Sequence, residues 1–211
     1  MFLDFSENAF SFGTDVVFIN PMIGNESMYK NVWEQGEHCG HVGMLVILEA
    51  LFSKNELEKI NIMPKSVFSF CNYFIGNKKF WDAYIKFCDG VLEKIASLKE
   101  KNLPVFELIY TSAHYMRNQT LDFRTFILER LFSTFLLLNG HIKSVFFDYA
   151  SDVFEKKFGG EVGKYLYSLS VLKNDAILNA DIAKLKKWNK MRRVALNSPV
   201  GIWARDDPTP A

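Results

Sequence analysis

A helix-rich α/β fold, a short central sheet flanked by helices, is the class this sequence predicts, and three observations predict it. Short β-branched or aromatic runs end at turn residues, two long stretches carry apolar residues at helical spacing, and the 211 residues are 49% hydrophobic and 23% charged. That length and balance belong to one globular domain large enough to bury a core. One domain over residues 1–196, followed by an irregular, mobile tail over 197–211 with three prolines, is the expected organisation.

The run Val16-Val17-Phe18-Ile19, closed by Asn20-Pro21, reads as a buried strand entering a loop. Residues 22–30 and the polar stretch 31–41 read as connecting segments, and 42–52 as a mostly apolar helix. Residues 66–75, with Val67, Phe68, Phe70, Tyr73 and Phe74, suit a second strand, and Gly76-Asn77 turns the chain. Over 78–99, Trp81, Tyr84, Ile85, Cys88, Leu92 and Ile95 recur every three or four residues opposite Lys78, Asp82, Lys86, Asp89 and Glu93, the mark of an amphipathic helix. A second long helix is expected over 122–138 and stops at Asn139-Gly140. Residues 142–147 read as a third strand, and the chain to about residue 193 as helix with a break near Asn174-Asp175.

A formal net charge of +1 gives no overall field for a nucleic-acid partner. Cys39, Cys71 and Cys88 lack paired spacing, which fits a reducing, cytoplasmic compartment. The N-terminus has neither the basic start nor the apolar run of a signal peptide, and no 18-residue apolar stretch occurs. Phosphate loop, dinucleotide fingerprint, H-E-x-x-H and Gly-x-Ser-x-Gly motifs are all missing, which removes nucleotide and serine hydrolysis as leading ideas.

Three groups of residues could carry chemistry. Trp33-Glu34-Gln35-Gly36-Glu37-His38-Cys39-Gly40-His41 is the densest. In it Glu34 or Glu37 could serve as general base, and His38 with His41 could ligate a metal or bond a phosphate or sugar. The plainer alternative is a solvated loop with His41 capping the next helix. Glu129-Arg130 interrupts an apolar helix, which calls for a buried ion network or a ligand. Asn72 and Tyr73, within Phe70-Cys71-Asn72-Tyr73-Phe74, pair an amide with aromatic faces, a combination suited to a sugar or to a core strand with one bonded Asn.

In order along the chain, Asp15-Val16-Val17-Phe18-Ile19-Asn20-Pro21, Asn31-Val32-Trp33-Glu34-Gln35-Gly36-Glu37, Cys71-Asn72-Tyr73-Phe74-Ile75 ahead of Lys79-Phe80-Trp81, and Phe126-Ile127-Leu128-Glu129-Arg130-Leu131-Phe132-Ser133 resemble the later part of bacterial capsule, lipopolysaccharide and O-antigen glycosyltransferases. The resemblance covers roughly residues 10–147. It implies a GT-A-like fold, a nucleotide-sugar donor, and a glycan or lipid-linked acceptor. In that group Glu37 and Glu34 are the expected catalytic carboxylates, while Trp33, His38, His41, Asn72, Tyr73, Glu129 and Arg130 are expected at the substrate. The Asp-x-Asp that holds Mn2+ or Mg2+ on the donor in many such enzymes has no match: Asp148 and Asp152 are wrongly spaced and Asp206-Asp207 lies in the tail. An N-terminally incomplete chain, its donor-binding half missing or supplied by another chain, accounts for this. The competing class is a non-catalytic sugar-binding or assembly module.

Lys184, Lys186, Lys187, Lys190, Arg192 and Arg193, interleaved with Ile182, Leu185, Trp188 and Met191, form a basic amphipathic helix. It is read either as a solvated face on a packed helix or as a peripheral contact with anionic lipid at the inner membrane face.

Overall fold

The computed structural model describes residues 2–101, 103–116 and 119–197. In chain order its elements are α1 (Phe2–Ser11), β1 (Val16–Phe18), α2 (Ile23–Met28), α3 (Val32–His38), α4 (Met44–Leu51), α5 (Lys54–Ile60), β2 (Phe74–Gly76), α6 (Lys78–Glu100), α7 (Pro104–Ile109), β3 (Ser112–Met116), β4 (Gln119–Asp122), α8 (Phe123–Leu138), β5 (Ser144–Phe146), α9 (Ser151–Phe158), α10 (Gly160–Leu178) and α11 (Ile182–Leu196). Helices surround a small mixed three-stranded sheet, the expected class in its coarse form. The tail expected beyond residue 197 lies outside the described residues.

The sheet runs β2-β1-β5, with β2 antiparallel and β5 parallel to β1. Val16, Val17 and Phe18 are fully buried, which is why β1 reads as an unbroken apolar run instead of an alternating one. Register aligns Phe74, Phe18 and Phe146 across the three strands. Phe132 of α8 packs on this row, stacked on Phe74 at 4.2 Å and edge-on to Phe18 at 5.3 Å. Phe80, Tyr84 and Phe135 complete the cluster, so much of the phenylalanine content fills the core. Asp15 pins the sheet's start, accepting hydrogen bonds from the Lys143 N–H, Asn77 Nδ2 and Lys79 Nζ. Burial works to raise the Asp15 pKa, but these donors outweigh it and hold the carboxyl at about 2.

The two long helices form where their periodicity places them. Asn77 caps α6 by accepting from the Phe80 N–H at 2.9 Å, and Asp122 caps α8 by accepting from the Arg124 N–H at 3.0 Å. α8 is buried on most of its circumference, as befits a helix at the centre of the core.

Three expectations need correction. Residues 22–41 are mainly helical: Asn31 starts α3 by accepting from the N–H groups of Trp33 and Glu34. Over 66–75 only Phe74–Gly76 is strand. Upstream, Ser133 and Ser69 side chains satisfy the backbone instead of a ladder, and Cys71 and Asn72 turn left-handed at φ 63° and 52°. The late break falls after Leu178, not at Asn174, whose amide bonds the Ser170 carbonyl inside α10 and the Glu26 carboxylate. Elements α1, α5, α7 and the β3–β4 hairpin are additional to the expected ones.

α9 and α10 pack so closely that a Cβ on Gly163 would lie 2.4 Å from the Phe154 carbonyl oxygen and 2.5 Å from Glu155 backbone atoms. Gly163→Ala should therefore destabilise the fold by about 1–3 kcal/mol through forced backbone shifts. Urea unfolding measures it, and an unchanged midpoint would show that α9 yields freely.

Candidate functional site

At 100° per residue, α3 deals its side chains to three neighbours. Glu34 and His38 face α11, Gln35 and Gly36 face α8, and Glu37 reaches the start of α4. Each carboxylate then has a defined task. Glu34 is gripped by Arg192 at 2.9 and 3.1 Å and accepts the Lys30 N–H at 2.6 Å. Glu37 accepts from the Gly43 and Leu45 N–H groups at 2.9 and 3.1 Å, so it is Glu37, not His41, that caps α4. Trp33 is fully buried, its indole N–H bonded to Thr134 Oγ1 at 2.9 Å, which removes it from any substrate surface.

Arg130 is enclosed between α3 and α8. Its guanidinium donates to the carbonyls of Val32 and Phe126 and to Gln35 Oε1 at 2.7–3.0 Å, and meets His41 Nδ1 at 3.5 Å. Gly36 makes room for it: a Cβ there would come within 2.6 Å of the guanidinium. Burial pulls the Arg130 pKa down to about 10. His41 stacks on Phe126 at 3.8 Å, and burial, followed by the Arg130 charge, lowers its pKa to about 4. The ring is neutral at pH 7, so with Nδ1 accepting from Arg130 the proton resides on Nε2.

Around this buried cation the structure gathers groups that the sequence scatters. Cys39 and Cys71 both fall within electrostatic reach of the guanidinium, and Phe70 lies beneath it at 5.9 Å. Consecutive non-glycine residues in the left-handed region are strained by about 1–3 kcal/mol each and persist only where surroundings enforce them. Here that backbone turns Asn72 and Tyr73 out to solvent.

Glu129 differs from its neighbour. One step around α8 it is half-buried, and among the described residues no hydrogen bond or ion pair engages its carboxylate. Burial raises its pKa, with the Arg130 charge acting in opposition. Of the three carboxylates singled out in the sequence, Glu129 alone has free lone pairs beside a fixed positive charge. Arg130, His41, Phe70 and Cys71 thus form a buried centre, with Glu129 next to Arg130 on α8 and Asn72 and Tyr73 on the exposed turn that follows Cys71 as the candidate residues around it, while Glu34 and His38 face the opposite side of α3.

No family model, curated protein or solved structure matches the chain.

Two concavities lie elsewhere. Glu34, His38, Tyr29, Arg192 and Arg193 line a cavity of about 310 Å³ between α3 and α11. The C-terminal ends of β1 and β5, where α/β folds commonly bind ligands, hold Asn20, Glu26, Lys65 and Asp148, but aromatic side chains leave only about 30 Å³ there, room for one water. Among the described residues no three His, Cys, Asp or Glu side chains are grouped to hold a metal. The candidate site is built around a guanidinium, which would repel a divalent cation, so its donor set does not fit Mn2+ or Mg2+.

Proposed function

We propose that the chain is a glycosyltransferase, or part of one, acting in surface polysaccharide synthesis at the cytoplasmic side of the membrane, with Glu129 as the carboxylate that takes the acceptor's proton. The family resemblance supports the reaction class, and a half-buried, unengaged carboxylate of raised pKa supports the assignment of the base. In the transfer, the acceptor oxygen bonds to the anomeric carbon as its bond to the diphosphate oxygen breaks. The hydroxyl proton passes to Glu129, and the electron pair leaves with the nucleoside diphosphate. Arg130 holds Glu129 beside a fixed positive charge, His41 offers an Nε2–H, and Asn72 with Tyr73 contributes an amide and an aromatic face to the sugar.

A second reading, a non-catalytic sugar-binding module, is favoured by one observation: Glu34 and Glu37 are both spent on the fold. Calorimetric titration with nucleoside diphosphates and nucleotide-sugars, with and without manganese, separates the two. Transfer predicts nucleotide affinity tighter than about 1 mM and donor turnover. Free-sugar binding without nucleotide binding would establish the module, and no binding of either would sink both readings.

A further inference from the structure

The outward face of α11 is charged unlike the rest of the molecule. Lys186, Lys187, Lys190 and Arg193 are exposed on it, the helix contains no carboxylate, and among the described residues none of the four is in an ion pair. Lys184, by contrast, is held by Asp175 and Asp181. The chain's formal charge is +1, and these four side chains contribute +4, so everything else together carries −3. Large apolar side chains stand beside them: Leu178 at the preceding turn is 80% exposed, Ile182 69% and Val194 63%. Of the four apolar residues the sequence interleaves with the cations, Ile182 is the one on this face. Trp188 is instead buried, its indole N–H bonded to the Ser27 carbonyl at 2.9 Å, and Leu185 and Met191 pack against the core.

We propose that this face docks on a membrane surface rich in anionic phospholipid, its cations on the headgroup phosphates and Leu178 and Ile182 entering the headgroup–acyl boundary. Charge complementarity selects an anionic occupant, and the exposed leucine and isoleucine select one with an apolar interior, which a nucleic acid lacks. Among the described residues no helix is long and apolar enough to cross a membrane, so the contact is with the surface.

Vesicle co-sedimentation of the full chain tests this without any sugar donor, so its outcome is independent of the transfer reading. Binding to phosphatidylcholine vesicles carrying about 30% phosphatidylglycerol, weakened by salt, and none to pure phosphatidylcholine, is the expected result. Replacing Lys186, Lys187, Lys190 and Arg193 together by Gln should lower partitioning on the order of a hundredfold or more, each cation contributing about fivefold. Leu178→Ser with Ile182→Ser should weaken binding while its salt dependence persists. Equal binding to neutral vesicles, or an unaffected quadruple variant, would overturn the proposal. So would tighter binding to a single-stranded oligonucleotide that ignores Leu178 and Ile182.

Discussion

Glu129→Gln is expected to lower turnover by roughly two to four orders of magnitude, the range for a lost general base, in a protein at least as stable as the parent. The stability half follows from sign. Burial raises the folded-state pKa of Glu129. A raised carboxyl contributes stability only below its unfolded pKa and loses it as pH rises, so near neutrality the ionised group is a net burden that an amide relieves. The same raised pKa sets the pH dependence: the acid limb of kcat/KM, which reports the free protein, should lie above the ordinary carboxylate range near 4.3. Thermal melts and steady-state rates on one preparation check both halves. Activity equal to the parent's would remove Glu129 from the chemistry. Activity and melting temperature falling together would make it a structural residue.

Arg130→Ala should fail in the opposite way, losing about 3–5 kcal/mol of stability. The guanidinium fills a closed space, and its removal leaves the Val32 and Phe126 carbonyls and Gln35 Oε1 without their donor. For a domain of this size the melting temperature should drop by roughly 6–20 °C. Arg130→Lys keeps the charge but lacks the planar fork, and should recover only part of the loss. His41 supplies an independent readout. Its folded pKa of about 4 lies below the ordinary 6.5, so parent stability is lost as pH falls through that interval. Without the Arg130 charge the His41 pKa should rise and the interval narrow, which NMR titration of the imidazole would show. A melting temperature within about 2 °C of the parent's would contradict this account, since it corresponds to less than 1 kcal/mol.

Legibility in the sequence followed the range of the forces involved. β1, α6 and α8 could be read because their patterns are local: an apolar run closed by Asn20-Pro21, and apolar residues three and four apart. α3 is hidden in the sequence because its polar density reads as a loop. A local signal was present, since Asn31 followed three residues later by Glu34 is a capping pattern ahead of a helix. The 66–75 segment misled through composition: aromatic residues there pack as irregular chain, and the left-handed turn at Cys71-Asn72 has no glycine to announce it. That Arg130 should be buried was readable from its flanking residues, but not its partners, which lie 95 and 98 positions earlier in the chain. Nothing near Glu34 pointed to Arg192, 158 residues away.

That last distance bears on how the protein is made. Lys173 bonds the Glu26 backbone carbonyl across 147 positions, Trp188 the Ser27 carbonyl across 161, and Arg192 the Glu34 carboxylate across 158. At ordinary translation rates about 10–30 s separate the synthesis of Glu34 from that of Arg192. Until Lys173 and Arg192 have been made, Glu26 and Glu34 lack the buried cations that accompany them into the interior, so the nascent N-terminal half keeps these groups in water. Arrival of α10 and α11, rather than emergence of the sheet, is the event that allows this part of the molecule to close.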